Sequence, residues 1–208
     1  QAGYSVAGGQ DNVFVGWQSG KSTTTANNNV GVGDASLTAN TTGASNTALG
    51  TQALSSNTTA SYNVAVGYQA GYSNTTGTGN SYLGRQAGYW NTTSNYNSAF
   101  GFSALANNTG ASNSAFGSNA LNTNTSGTSN TAVGDSALLN NTTASQNTAL
   151  GYAAGYSNST GSSVTAVGWL ALYANTTGSE NSAIGAGALY LNTTGQYNTG
   201  VGRQALLN

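Results

Sequence analysis

The chain has 208 residues, almost no charge, and no cysteine, histidine, methionine or proline. Its charged fraction is 3%, against roughly 25% in an average soluble protein. Without cysteine or histidine there can be no disulfide, thiol nucleophile, Cys/His zinc site or histidine-dependent triad. Three basic residues cannot form a surface that follows a phosphate backbone, so we expect no nucleic acid binding. No apolar run approaches the roughly 18 residues of a membrane span, so we expect no membrane insertion.

The four acidic residues, Asp11, Asp34, Asp135 and Glu180, are widely separated in the sequence. Acid–base hydrolysis and calcium binding both require carboxylates that lie close together. In the repeat described next, Asp34 and Asp135 fall at the same position but six repeats apart. We therefore predict that the chain is not an enzyme, and that it holds no metal and no cofactor.

What the chain does contain is a repeat of 17 residues. Twelve glycines, here called the anchor glycines, are spaced by 17 residues ten times and by 16 once. Positions are numbered from the anchor of each repeat, so that −1 precedes it and +1 follows it. We predict one array over residues 1–208, without a linker and without a polar cap at either end. The anchors are Gly16, Gly33, Gly50, Gly67, Gly84, Gly101, Gly117, Gly134, Gly151, Gly168, Gly185 and Gly202.

The columns of this repeat favour a β-solenoid. A unit of 17 residues is too short for a pair of helices, and segments such as Asn-Thr-Ala-Val-Gly have the alternation of a strand. We predict an all-β fold, a parallel β-roll or β-helix of twelve coils. Position −4 is Asn in nearly every repeat, so we expect its side chains to stack inside with amides hydrogen-bonded from coil to coil. This predicted ladder includes Asn46, Asn63, Asn97, Asn130 and Asn147.

The strand segment is uncharged in all twelve repeats, which indicates that both of its faces are covered. One face would lie on the interior of the coil, where the apolar −1 column would form a thin core together with Ala and Leu. The other face would lie against further chains. The Asn-Thr-Thr sequence that begins at +7 is predicted to be a corner, because the one shortened repeat has lost a residue there.

The unit Asn-Thr-Ala-Val-Gly-x-x-Ala, found at 130–137, resembles the head repeat of YadA-like trimeric autotransporter adhesins. It is similar also to the repeats of bacteriophage tail fibres and related bacterial surface fibres. The resemblance covers essentially the whole chain. It implies a left-handed β-roll, three chains side by side with the strand at the centre, and an extracellular location on a cell surface or a virion fibre. The adhesin repeat is shorter and lacks the Asn-Thr-Thr corner.

Every charged residue falls at +1, +5 or −5, so these columns are expected to face solvent. Most aromatic residues share them, and exposed rings on a neutral surface can stack on sugars. For the tyrosines at +5 there is a structural alternative. Tyr usually follows where +4 is Gly instead of Leu, so its ring would fold back into the volume of the missing Leu. The candidate contacts are Trp17, Tyr68, Tyr152 and Trp169 at +1, and Tyr72, Tyr89 and Tyr156 at +5.

The expected function is a structural segment of an extracellular fibre or adhesin, which spaces or presents a recognition region. Its main partner would be itself, as a homotrimer, with weak contacts to surface glycans. One alternative is a subunit that polymerises end to end into a surface filament. Another is an ice-binding solenoid that orders water on the Asn-Thr-Thr column. Against ice binding, neighbouring residues of a strand point to opposite faces, so adjacent threonines would not share one flat surface.

Overall fold

The computed structural model describes residues 1–207 and contains twelve parallel β-strands, one in each repeat. Each strand has three residues, at −3, −2 and −1, and ends directly before an anchor glycine. The prediction of an all-β solenoid is confirmed, and each coil contains one short strand. The strands are β1 Val13–Val15, β2 Val30–Val32, β3 Thr47–Leu49, β4 Val64–Val66, β5 Ser81–Leu83, β6 Ser98–Phe100, β7 Ser114–Phe116, β8 Thr131–Val133, β9 Thr148–Leu150, β10 Thr165–Val167, β11 Ser182–Ile184 and β12 Thr199–Val201.

The chain forms two compact units, Gln1–Ser103 and Ala104–Asn208. In the first, which holds β1 to β6, each strand pairs in parallel with the next, so that Ala48 lies opposite Ala65. In the second, which holds β7 to β12, Ala132 lies opposite Ala149 in the same register. Backbone hydrogen bonds between coils continue outside the strands. The coils of each unit are therefore joined by hydrogen bonds along the turns as well as along the strands.

The core consists of the residues at −2, +3 and +4. The −2 residue is Ala in most coils and is buried, as are the Ala at +3 and the Leu at +4. The −1 side chains lie on the opposite, outward face, so the prediction that they belong to the core was wrong. The interior has little space for them: where Leu fills +4, the −2 residue opposite is a fully buried Ala, as at Ala48 and Ala132. Since strand residues alternate between faces, an Ala inside places the larger −1 side chain outside.

Two coils carry an aromatic residue at −2, and both have glycine at neighbouring +4 positions. Tyr82 is fully buried. A Cβ added at Gly71 would lie 2.7 Å from its Cδ2 atom, and one added at Gly88 would lie 2.8 Å from its Cζ atom. A Cβ added at Gly20 would likewise contact the ring of Phe14. The volume of the missing leucines is thus filled from the strand side, so the prediction that the +5 tyrosines fill it was wrong for these coils.

The residues at −5, +2 and +4 adopt left-handed backbone conformations, which the sequence did not reveal. Leu54 and Leu138 at +4 have φ of 49° and 50°, while Gly71 at the same position has φ of 59°. A left-handed conformation costs a non-glycine residue roughly 1–2 kcal/mol. Complete burial of a leucine side chain offsets this with about 2 kcal/mol. The two effects nearly balance, which explains why +4 is occupied by either Leu or Gly.

The anchor glycines are required by both conformation and close approach. Their φ values lie between 118° and 145°, where L-residues with a Cβ are strongly disfavoured. A Cβ added at Gly67 would also lie 2.7 Å from the carbonyl oxygen of Gly84 in the next coil. No other residue type fits this position, and the 17-residue period of the sequence follows from it.

Candidate functional site

The predicted asparagine ladder at −4 lies in the interior. Asn46 Nδ2 donates to Asn29 Oδ1 at 3.2 Å, and the Asn63 backbone amide donates to Asn46 Oδ1 at 3.0 Å. In the second unit, the Asn147 backbone amide donates to Asn130 Oδ1 at 3.0 Å. The Asn97 backbone amide donates to Asn80 Oδ1 at 2.9 Å. The structure therefore places all five of the predicted residues in hydrogen-bonded columns, and their side chains serve coil stacking.

A second ladder lies at +7, at the start of the predicted Asn-Thr-Thr corner. The bend falls on the two residues after the asparagine, while the asparagine itself is buried. Asn57 Nδ2 donates to Asn40 Oδ1 at 3.0 Å and to the carbonyl of Ala60 at 3.0 Å. That carbonyl also accepts from Asn46 Nδ2 at 2.8 Å, so the two ladders meet on one oxygen. Burial removes these Asn-Thr-Thr asparagines from glycosylation in the folded chain.

The threonine at +8 is also used within the solenoid. Thr58 Oγ1 donates to the Thr75 carbonyl at 3.1 Å, and Thr176 Oγ1 donates to the Thr193 carbonyl at 3.0 Å. In the shortened coil, Asn124 Nδ2 donates to Asn108 Oδ1 at 2.6 Å, so the second unit keeps this contact beside the deletion. Hydroxyl protons bound to the next coil are not free to order water, which weighs against ice binding on this column.

The outer face of the strands is uncharged and largely apolar. Its −1 side chains are half-buried to exposed, with Leu49 at 37% and Leu150 at 48% exposure. The −3 side chains beside them are mostly Ser or Thr. Only the inner face of each strand is covered within the single chain. Contiguous exposed apolar side chains are unusual on a surface that has no partner. The column consists of Val15, Val32, Leu49, Val66, Leu83, Phe100, Phe116, Val133, Leu150, Val167, Ile184 and Val201.

The predicted aromatic contacts lie on a different surface. At +1, Trp17, Tyr68, Tyr152 and Trp169 are all exposed. At +5 the tyrosines are half-buried and stack on one another along the coils. Tyr72 and Tyr89 have ring centroids 5.1 Å apart at an interplanar angle of 6°. In the second unit, Tyr156 stacks on Tyr173 at 5.1 Å, and Tyr173 stacks on Tyr190 at 5.2 Å.

Between these aromatic columns the second unit carries a trough. The two left-handed turns at +2 and +4 direct the residues at +3 and +4 inward and leave +1 and +5 as its two walls. One part has a volume of about 460 Å³ and a second part about 310 Å³, and both are lined by Trp169, Leu170 and Tyr190. The first part is lined also by Ser136, Tyr152, Ala153, Tyr156 and Tyr173, and the second by Ala186, Gly187, Arg203, Gln204 and Leu207.

The first unit has a related but more polar surface between the same columns. A cavity of about 260 Å³ lies between Trp17 and Tyr4, with Gln18 and Lys21 in its lining. Further along, the glutamines at +2 form a ladder, in which Gln69 Nε2 donates to Gln52 Oε1 at 2.8 Å. The trough of the second unit has Ala153 and Leu170 at this position instead. The apolar floor therefore distinguishes the second unit.

The charged and titratable groups of the described residues are mostly at the surface. All seven charged side chains are exposed. Residues 1–207 contain no cluster of three or more His, Cys, Asp or Glu side chains that could hold a metal ion. Burial raises the pKa of Tyr82 above its usual range, opposed by the hydrogen bond from Asn91. Within the same residues no helix is long and apolar enough to span a membrane.

Comparison of the chain with protein-family models, with curated proteins and with solved structures finds no match. The likeness of the repeat unit to adhesin heads and tail fibres therefore stays a prediction. The outer strand face and the aromatic trough are the two candidate functional surfaces of the chain.

Proposed function

We propose that this chain is a structural segment of an extracellular fibre or adhesin whose coils associate side by side as a homotrimer. The observation that carries the proposal is the uncharged outer strand face, with its continuous apolar −1 column. Its purpose would be to space or present a recognition region. The resemblance of the repeat unit to adhesin heads and tail fibres points in the same direction.

The energetics favour covering this face. Burying the exposed half of a Val or Leu side chain contributes roughly 1 kcal/mol, and each unit repeats such a residue six times. The Ser and Thr hydroxyls at −3 can hydrogen-bond across an interface, and no charge has to be desolvated. A neighbouring chain with the same register would meet the same pattern at every rung, which suits a symmetric assembly.

The test is the mass of the particle in solution, measured by sedimentation equilibrium. We expect three times the mass of the chain. Leu49→Lys combined with Leu150→Lys places one charge on the outer strand face of each unit and should yield monomers. The matched control is Thr51→Lys with Tyr152→Lys, which adds the same charges two residues further on at exposed +1 positions. The control should remain trimeric.

The alternatives give different results in the same experiment. Open-ended filaments would support the self-polymerising subunit in place of the trimer. A monomer that depresses the freezing point of water below its melting point would support ice binding. A wild-type monomer without that activity, or equal dissociation by both pairs of lysines, would refute association through the outer strand face.

A further inference from the structure

We infer that the trough of the second unit binds an uncharged β-1,4-linked polysaccharide chain that lies along the stacked coils. The inference deepens the proposed function, since it names the class of glycan that the fibre would contact. Binding itself requires no trimer, because the trough is lined only by residues at +1, +2 and +5. The outer strand face and the trough share no residue.

The spacing of the trough selects the kind of polymer. Tyr156, Tyr173 and Tyr190 present ring edges and hydroxyls at steps of 5.1 and 5.2 Å. An extended peptide repeats its side-chain direction about every 6.8 Å. A polyproline II helix repeats about every 9.3 Å. Neither length is a multiple of the tyrosine step. A β-1,4-linked chain of pyranose rings advances by nearly one coil per sugar and turns over at each sugar, so every second ring would meet the same surroundings in the same orientation.

The lining of the trough matches the faces of such rings. The C–H faces of a pyranose ring stack on aromatic side chains, and the exposed Tyr152 and Trp169 lie in adjacent coils of one wall. Ala153 and Leu170 provide an apolar floor. The stacked tyrosines of the other wall have hydroxyls that can exchange hydrogen bonds with sugar hydroxyls.

Charge and length narrow the ligand further. Arg203 is the one charged residue in the lining, and it lies at one end of the trough. A nucleic acid or a polyanionic glycan would require several cations along its length. From Ser136 to Gln204 the trough crosses four coil steps, or about 19 Å at about 4.8 Å each. Several sugar rings fit in that length, so affinity should rise with the number of sugars.

The experiment titrates the full chain with cellohexaose by isothermal titration calorimetry. Maltohexaose is the matched probe, since it has the same six glucose units joined by α-1,4 bonds and coils instead of extending. We expect cellohexaose to bind at least tenfold more tightly than maltohexaose or cellobiose. Trp169→Ala should weaken binding at least tenfold. Trp90→Ala removes an equally exposed tryptophan from the first unit and should leave binding unchanged.

Three results would overturn the inference: absence of cellohexaose binding, equal binding of maltohexaose, or equal losses in Trp169→Ala and Trp90→Ala. Circular dichroism of each variant shows whether its fold is retained. The Leu49→Lys/Leu150→Lys variant separates this test from that of the proposed function. If it is monomeric and still binds cellohexaose, the trough acts independently of assembly. A trimer that binds no glycan would refute only the present inference.

Discussion

At the scale of single residues, Tyr82 shows how the narrow interior couples positions that are distant in sequence. The −2 position normally holds Ala, opposite Leu at +4. Tyr82 is fully buried there, and Gly71 and Gly88 leave the space for its ring. Its hydroxyl accepts a hydrogen bond from Asn91 of the inner +7 ladder. One large residue and two glycines thus replace one small residue and two leucines.

This exchange predicts a specific rescue. Tyr82→Ala removes a large aromatic side chain beside two glycines and should lower the free energy of unfolding by about 3–5 kcal/mol. Adding Gly71→Leu and Gly88→Leu to that variant restores the usual pattern and should recover at least half of the loss. In the wild-type background the same leucines should destabilise the chain, because their Cβ atoms would meet the Tyr82 ring.

Urea unfolding of the wild type and the three variants, followed by circular dichroism, measures these free energies. All three substituted positions lie in the first unit. The interaction free energy between them therefore belongs to a single compact unit. If the leucines destabilise the Tyr82→Ala variant as much as the wild type, the volume exchange is not the reason for these residues.

At the scale of the coil, the asparagine ladders replace much of the apolar core that a larger fold would have. Most −4 oxygens accept from the next coil, and most −4 side-chain amides donate to a carbonyl at +10, as in Asn130 Nδ2 to Ala144 O at 2.9 Å. Val164 is the exception in this column. Its backbone amide donates to Asn147 Oδ1 at 2.9 Å, but its side chain can neither accept from the next coil nor donate to a carbonyl.

Val164→Asn should therefore stabilise the chain, by about 0.5–1.5 kcal/mol for the added hydrogen bonds. The reverse substitution, Asn130→Val, removes hydrogen bonds from buried groups and should cost about 1–3 kcal/mol or more. Both free energies come from guanidinium unfolding of the full chain. Destabilisation by Val164→Asn would show that its surroundings have adapted to the apolar side chain, and that ladder continuity is not limiting there.

The repeat length, the position of the strand and the −4 ladder could be predicted because each leaves a periodic residue type in the sequence. Which residues form the inner face of the strand could not be predicted. Ala at −2 and Val, Leu, Ile or Phe at −1 suggest that the larger residue is in the core. Where Leu fills +4, the interior of the coil holds the smaller residue, and the larger Tyr82 fits only beside two glycines.

The trough could be predicted only in part. The sequence indicated that Trp169 and Tyr156 face outward, but not that their columns form opposite walls. That arrangement depends on left-handed backbone at +2 and +4, where Leu170 and Leu172 have φ of 53°. Leucine is not a residue from which a left-handed turn is expected. The corner at Asn-Thr-Thr was predicted, but the burial of its asparagine was not, since Asn141 points inward and the bend follows it.

At the scale of the whole molecule, the chain relies on neutral interactions throughout. It has no cysteine for disulfides and only seven charged residues, all of them exposed. Coil is joined to coil by backbone hydrogen bonds, two amide ladders and small apolar side chains. These interactions are short-ranged and act between nearest neighbours, as in other repeat folds. The stability of such a solenoid should depend little on the ionic strength of its surroundings.

This leads to a prediction for the stability of the intact chain. Exposed charges contribute at most about 1 kcal/mol per pair and are screened over about 10 Å at 0.1 M salt. We expect the midpoint of thermal unfolding to change by less than about 2 °C between low salt and about 0.5 M sodium chloride. Sodium sulfate should raise it, because excluded salts strengthen apolar burial. A marked fall in sodium chloride would mean that the few charges stabilise the fold, and would contradict the assignment of its stability to hydrogen-bonded ladders and apolar contacts.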